Sequence, residues 1–223
     1  MKYYPIFVRV VGRECLVIGG GAVAARKVES LVNAGAAVTV ISPELPPEIT
    51  DLAAAGQVTH HRRCYQRGDL RGFFLAYAVT ADVAVQTQIA AEATAAGVLL
   101  NVVDVPQLCT FIVPSVMKRG DLVIATSTSG TSPALARRIR QDLEHSFGPE
   151  YDAALRLLGR LRESFRARGV PAVERQRMFG TLVDSELIDY LRRGQHAAVD
   201  ELLATTVGAG VSLATLGVDF THE

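Results

Sequence analysis

An α/β fold is what this sequence predicts: a parallel sheet covered on both faces, then a small strand-and-helix region, then an all-helical remainder. Three observations carry that reading. Short β-rich runs alternate with Ala-rich helical stretches as far as Pro106, and the strand-like runs are apolar almost throughout, as strands buried on both faces must be. A glycine turn, "GGGAVA" from Gly19 to Ala24, joins the first strand to the first helix. Beyond Pro106 the alternation stops, and from Pro149 onward the pattern is helical.

The elements follow in order. Strands are expected at Glu14–Ile18, Ala37–Ile41, Val58–Arg62, Phe73–Val79 and Val98–Val103. Helices are expected between them at Val23–Asn33, Pro47–Ala55 and Asp82–Ala96. Gly35, Gly56 and Gly97 each stand where a helix end calls for a left-handed residue. "FIVPSVMKRGDLVIATSTSG" reads as two strands folded around Arg119–Gly120, a hairpin and not a crossover. "SPALARRIRQDLEHSF" then starts a helix with Ser132 as N-cap and Pro133 in the first helical position. The helical remainder is expected to break near Gly169–Pro171, Gly180 and Gly194, while the periodicity of the tail is too weak to assign. These shifts divide the chain into regions 1–112, 113–148 and 149–223.

Composition excludes several classes. The 23 basic side chains balance 23 acidic ones among 223 residues, so no global field draws the chain to nucleic acid or to an anionic membrane. Three widely spaced cysteines, Cys15, Cys64 and Cys109, form no disulfide framework and no zinc-ligand spacing. The N-terminal "MKYYPIFVRVVGRE" lacks the long apolar run and cleavage site of a signal peptide, and no stretch reaches the roughly 20 apolar residues of a membrane span. A cytoplasmic location is the expectation.

The glycine turn has a specific chemistry. Gly19, Gly21 and Ala24 fit G-x-G-x-x-G/A directly after a strand and at the opening of a helix. Gly19 permits the tight turn, Gly21 lets the backbone approach a pyrophosphate, and Ala24 lets the helix pack close to the strand. The pyrophosphate would face the free N–H groups at Ala22 and Val23 and the positive end of the helix dipole. About 20 residues on, where an acid usually meets the adenosine ribose, the second strand ends on Ser42–Pro43. The nearest acid is Glu44, past Pro43, so backbone groups and the Ser42 hydroxyl are expected to recognise the ribose; no Arg follows to hold a 2′-phosphate, which favours NAD over NADP.

Other candidates carry less. His60 and His61 in "HHRRCYQR" point to opposite faces of a strand and cannot share an ion, so no metal site is expected there. Cys109 is read as a small buried hydrophobe and not as a ligand. "VTAD", from Val79 to Asp82, follows the fourth strand and leaves Thr80 available to a cofactor there.

"NVVDVPQLCTFIVPS" and "IATSTSGTSPALARRIRQDLE" are more specific than any glycine turn. With "PIFVRVVGRECLVIGGGAVAARK" and "AGAAVTV" ahead of them, they stand in the order and at the spacing of one family. The chain resembles the precorrin-2 dehydrogenase/sirohydrochlorin ferrochelatase family of siroheme synthesis, strongly over residues 3–150 and loosely beyond. The resemblance implies a Rossmann-like NAD-binding domain, a strand-helix dimerisation region and a helical C-terminal domain. It further implies oxidation of precorrin-2 to sirohydrochlorin with NAD as hydride acceptor, followed in some members by Fe²⁺ insertion. Some members carry a C-terminal methyltransferase; this chain stops at Glu223, and that activity is not expected here.

Asp104 matches the family's catalytic aspartate. Dehydrogenation removes a hydride and a proton, and a placed carboxylate can take the proton. From the residues alone, Asp104 fits equally a turn-capping Asp before Val105–Pro106. Precorrin-2 carries eight carboxylates, and the hydroxyl- and Gly-rich loop holding Thr128, Ser129, Gly130 and Ser132 feeds a helix N-terminus suited to anions. Arg137, Arg138 and Arg140 add charge nearby, but at helical spacing they cannot all face one ligand.

Two other readings stay open: a non-catalytic NAD-sensing module, and a chelatase-only tetrapyrrole-binding protein with a vestigial nucleotide site. The first usually keeps the acid after the second strand and lacks both later motifs. The intact Gly19, Gly21 and Ala24 speak against the second. A homodimer is implied by the resemblance and agrees with the size of the hairpin and helix after Pro106, too small to bury their apolar faces alone.

Overall fold

The computed structural model describes residues 2–220, so the outermost ends of the first and third expected regions lie outside the described residues. The chain forms two compact units that divide between Val113 and Pro114.

The first unit alternates strand and helix: β1 (Glu14–Ile18), α1 (Ala22–Asn33), β2 (Ala37–Ile41), α2 (Pro47–Ala54), β3 (Val58–His61), β4 (Leu75–Ala78), α3 (Val83–Ala96) and β5 (Leu99–Val102). The five strands are all parallel and lie in the order β3-β2-β1-β4-β5. Apolar residues alternate between the two faces of this sheet. Cys15, Val17, Val38, Val40 and Tyr77 face α1, which inserts Ala24, Val28 and Leu31 among them. Leu16, Ile18, Ile41, Ala76 and Ala78 face the other way, against Ile89 and Ala93 of α3. Each fully buried aliphatic side chain contributes about 1.5–3 kcal/mol of transfer free energy, and removing one such as Ile49 by Ile→Ala costs about 2–5 kcal/mol.

Three expected strands are too long. Arg62 lies beyond β3, Phe73 and Phe74 pack on the core ahead of β4, Val79 lies beyond it, and Val98 and Val103 flank β5. Asp82 is not the first residue of α3 but its N-cap, accepting from Ala84 N–H at 2.9 Å and Val85 N–H at 3.2 Å.

The second unit opens with the antiparallel hairpin β6 (Ser115–Arg119) and β7 (Leu122–Thr126), then α4 (Pro133–Ser146). Ser132 Oγ caps α4 by accepting from Leu135 N–H at 3.2 Å. Four further helices follow: α5 (Glu150–Ala167), α6 (Ala172–Val183), α7 (Leu187–Arg192) and α8 (His196–Thr206). Their core holds Leu157, Leu161, Phe165, Met178, Leu182, Leu187, Val199 and Leu203, and the tail adds Leu213 to it. Gly180 does not break a helix as expected. It lies inside α6, where a Cβ would meet nothing and helical φ costs only about 1 kcal/mol relative to Ala; the break comes after Val183.

Candidate active site

Because all five strands run one way, the loops after β1, β2, β4 and β5 gather at one edge of the sheet. Connections leave β1 towards β2 on one side and β4 towards β5 on the other. The gap between β1 and β4 is therefore the place where open sheets of this kind take ligands.

The glycine turn sits there. Gly19 has φ +124°, and a Cβ on it would stand 2.3 Å from the Val79 carbonyl oxygen at the end of β4. Its N–H donates to Ile41 O at 2.9 Å, so this residue is wedged between the loops of β2 and β4. Gly20, unremarked in the motif, is equally constrained: its Cβ would lie 2.0 Å from Glu44 O and 2.4 Å from Ser42 Oγ. Gly21 differs, since a Cβ there meets nothing of the protein. It is the N-cap of α1, with no side-chain cap and no acid in the first turn. The first helical bond runs from Ala25 N–H to Gly21 O, at 3.0 Å, leaving the N–H groups of Ala22, Val23 and Ala24 ahead of it. This uncapped helix start beside an unhindered glycine fits a pyrophosphate. Ala24 itself is fully buried against the sheet.

After β2, Ser42 is 5% exposed and donates its hydroxyl proton to Glu44 O at 2.6 Å. Its carbonyl accepts from His60 Nε2 at 2.9 Å. Ser42 thus shapes the loop that roofs Gly20. Pro43 and the Glu44 side chain are exposed, and the Glu44 carboxylate has no partner among the described residues. After β4, Thr80 gives its carbonyl to Gln86 Nε2 at 2.6 Å, and its Oγ1 accepts from Asp82 N–H at 3.3 Å. Thr80 is half-buried, and Ala81 beside it is exposed.

Asp104 is one of two described non-glycine residues with positive φ, at 63°. Such a backbone costs about 1–3 kcal/mol in a residue with a Cβ, least for Asp and Asn. It occupies the third position of a turn closed by Val105 N–H donating to Val102 O at 3.2 Å. The side chain is exposed and without a partner among the described residues. Just before it, Val103 N–H donates to Ala78 O at 3.0 Å, so the turn begins from the end of β4.

The chain then doubles back along the outer edge of β5. Thr110 N–H donates to Leu100 O at 2.8 Å, and Leu100 N–H donates to Thr110 Oγ1 at 2.7 Å. Cys109 Sγ accepts from Val102 N–H at 3.2 Å and lies 3.2 Å from Val102 O and 3.3 Å from Val105 O. Partial burial pushes its thiol pKa up, and the Val102 N–H draws it back in part. Nothing in the sequence pattern marked this role for Cys109.

In the second unit, the expected substrate loop is closely self-bonded. Thr128 Oγ1 donates to Ser132 O and accepts from Ser132 N–H, both at 3.0 Å. Ser127 Oγ accepts from Ser129 N–H at 3.0 Å, and the Ser132 hydroxyl is committed to the helix cap. Ser129 (φ 54°) and Gly130 (φ 83°) are left-handed and exposed at the crest. Arg138 pairs with Asp142 at 2.9 Å and Arg140 pairs with Glu144; Arg137 is exposed and has no partner among the described residues. The loop and Asp104 belong to different units.

Five parallel strands in the order β3-β2-β1-β4-β5, with a glycine turn at the switch point, define a dinucleotide-binding protein of the Rossmann type. A family model described as NAD(P)-binding matches residues 6–115, and one described as sirohaem biosynthesis protein, central, matches residues 119–146. The chain belongs to the precorrin-2 dehydrogenase/siroheme synthase family. It is 36% identical over 210 residues to the siroheme synthase of Chromobacterium violaceum, covering 94% of this chain and 45% of that one. With the siroheme synthase of Methylobacillus flagellatus it shares 37% over 198 residues, covering 89% and 42%. The chain thus spans just under half the length of these curated relatives. Among solved structures it superposes on SirC, precorrin-2 dehydrogenase, with a TM-score of 0.77 and 26% identity, over 92% of this chain and 99% of that one.

Proposed function

We propose that this chain is an NAD-dependent dehydrogenase that oxidises precorrin-2 to sirohydrochlorin in siroheme biosynthesis. One observation carries the reading: the glycine turn after β1 and the unpartnered carboxylate of Asp104 after β5 stand at the same edge of one sheet. The family membership and the likeness to SirC support the choice of substrate.

Gly21 and the N–H groups of Ala22, Val23 and Ala24 hold the pyrophosphate of the dinucleotide. Pro43 and the Glu44 carboxylate meet the adenosine ribose, with the Ser42 hydroxyl fixing their loop through the Glu44 carbonyl; an acid here repels a 2′-phosphate and favours NAD. Thr80 borders the nicotinamide side. NAD, when bound, supplies the hydride acceptor. Asp104 takes the proton that leaves the macrocycle as the hydride departs, so the substrate gives up two hydrogens in all: one as hydride, with both electrons, to NAD, and one as a proton to the carboxylate. Ser129 and Gly130, shaped by Thr128 and Ser132, meet substrate carboxylates.

The enzyme works as a homodimer in the cytoplasm. Exposed Val116 and Val123 on the hairpin and Leu135 and Ile139 on α4 support the first claim, and three free cysteines support the second. The regions 1–112, 113–148 and 149–223 serve as cofactor, dimerisation and helical domains. Among the described residues no helix is long and apolar enough to cross a membrane.

Purified protein given precorrin-2 and NAD under anaerobic conditions should form NADH and the sirohydrochlorin spectrum together. Absence of NADH overturns the proposal. Fe²⁺ added afterwards asks whether the metal is also inserted. Gel filtration should place the protein well above 23.9 kDa.

A further inference from the structure

We propose that Cys109 is a positioning residue: its thiol ties together the two ends of the turn that carries Asp104 and holds that carboxylate in place. The inference rests on the reading of Asp104 as the proton acceptor.

Asp104 does not hold itself. Among the described residues its carboxylate, its N–H and its carbonyl have no partner, and its φ of 63° is one a side-chain-bearing residue rarely adopts. Glycine is the ordinary occupant of such a turn position, so an aspartate there needs neighbours that over-determine the backbone. The turn's own bond, Val105 N–H to Val102 O, is long at 3.2 Å.

Cys109 supplies the rest from outside the turn. Val102 is the last residue of the edge strand β5, and its N–H and carbonyl both point away from β4. Sγ accepts from that N–H and stands 3.2 Å from that carbonyl and 3.3 Å from the carbonyl of Val105. The single S–H proton is thus offered to one residue before and one after the Val103–Asp104 step. One side chain grips both shoulders of the turn, while Thr110 anchors the same return segment to Leu100. Sulfur is a weak donor and acceptor, but three contacts at these distances fix a side chain that is itself partly buried.

Four variants test this: Cys109→Val, which fills the volume without a donor; Cys109→Ala; Cys109→Ser, which restores donor and acceptor at shorter reach; and Asp104→Asn in parallel. Turnover with precorrin-2 and NAD should fall about tenfold in the Val and Ala variants, while KM for precorrin-2 and Kd for NAD stay within about twofold. Cys109→Ser should recover to within about threefold of the parent turnover. Amide exchange at Val105 should quicken about tenfold in Cys109→Val, with Val79, bonded to Ile18 O in the parent, unchanged.

Full turnover in both the Val and Ala variants overturns the proposal. So does a loss spread equally over turnover, NAD affinity and melting temperature, the mark of general damage. If Asp104→Asn works at the parent rate, the proton-acceptor reading falls and this one with it. If Asp104→Asn is slow and Cys109→Val is not, only the positioning role falls. Should Cys109→Val fail to fold, Cys109→Ala and Cys109→Ser decide alone.

Discussion

Gly20 lies directly beneath the Glu44 carbonyl: a Cβ on Gly20 would come within 2.0 Å of that oxygen. Two loops that are more than 20 residues apart in sequence are therefore one object, and the glycine turn cannot be altered without moving the loop that carries Glu44. This yields contrasting expectations for Gly20 and Gly21. Gly20→Ala should lose about 1–3 kcal/mol of stability together with NAD affinity, because backbone and not a flexible side chain must give way. Gly21→Ala, open on the protein side, should melt within about 2 °C of the parent yet bind NAD at least about tenfold more weakly. Thermal melts paired with calorimetric NAD titrations check the contrast, and equal effects at both positions would show that Gly21 is not a cofactor contact.

Glu44 should set the choice between cofactors. Glu44→Gln is expected to weaken NAD about tenfold, and Glu44→Arg to bring NADP level with NAD or ahead of it. Dissociation constants for the two cofactors, measured on each variant, decide the matter. An unchanged ratio would move ribose recognition to backbone groups.

Thr128 is expected to act through loop shape. Its hydroxyl bridges Ser132 N–H and Ser132 O, so Thr128→Ser should be nearly silent, whereas Thr128→Val should cost about 1 kcal/mol of stability. The same Val variant should raise KM for precorrin-2 several-fold, about 3–10 on the scale of one lost positioning contact. Matching steady-state curves for parent and Val variant would remove this loop from the substrate site.

Acid stability should depend on Glu92. Burial pushes its pKa up, but donations from Gly68 N–H, Tyr65 OH and Leu70 N–H outweigh this and leave it below the ordinary carboxylate value. Asp69 is likewise lowered: burial opposes the shift, and the bidentate Arg63 contact and Gln66 N–H overcome it. A carboxylate lowered in the folded state stabilises fully above its unfolded pKa, about 4, and that stability is lost as pH falls through the folded value. Melting temperature should therefore be flat from about pH 7 to 5 and drop below about pH 4, with a shallower drop in Glu92→Gln. A drop beginning near pH 6 would assign the transition to histidines instead.

Much of this was legible in the sequence where local pattern and global fold agree. β1 and β2 end where their apolar runs end, and Ser132 with Pro133 opens α4 as the capping rule requires. Gly180 misled because a lone glycine weakens a helix without ending it, and Met178 and Leu182 on either side anchor α6 into the core. The Ser42 hydroxyl looked free for a ligand, yet it closes its own loop on Glu44 O. The crowding at Gly20 and the grip of Cys109 on β5 were invisible for one reason. Each depends on where a distant or returning backbone segment passes, and no periodicity records that.

The return of the chain along β5 has a consequence beyond chemistry. Rows of unsatisfied amide and carbonyl groups on a sheet rim recruit any extended segment that drifts past, from the same molecule or another. Thr110 and Cys109 occupy the bonds at Leu100 and Val102 that a sixth strand would take, so the chain plugs its own rim with a loop. The segment that presents the aspartate is thereby also a guard against aggregation. Loosening it would expose a sticky strand, so solubility and the placement of Asp104 depend on the same segment from Leu100 to Thr110.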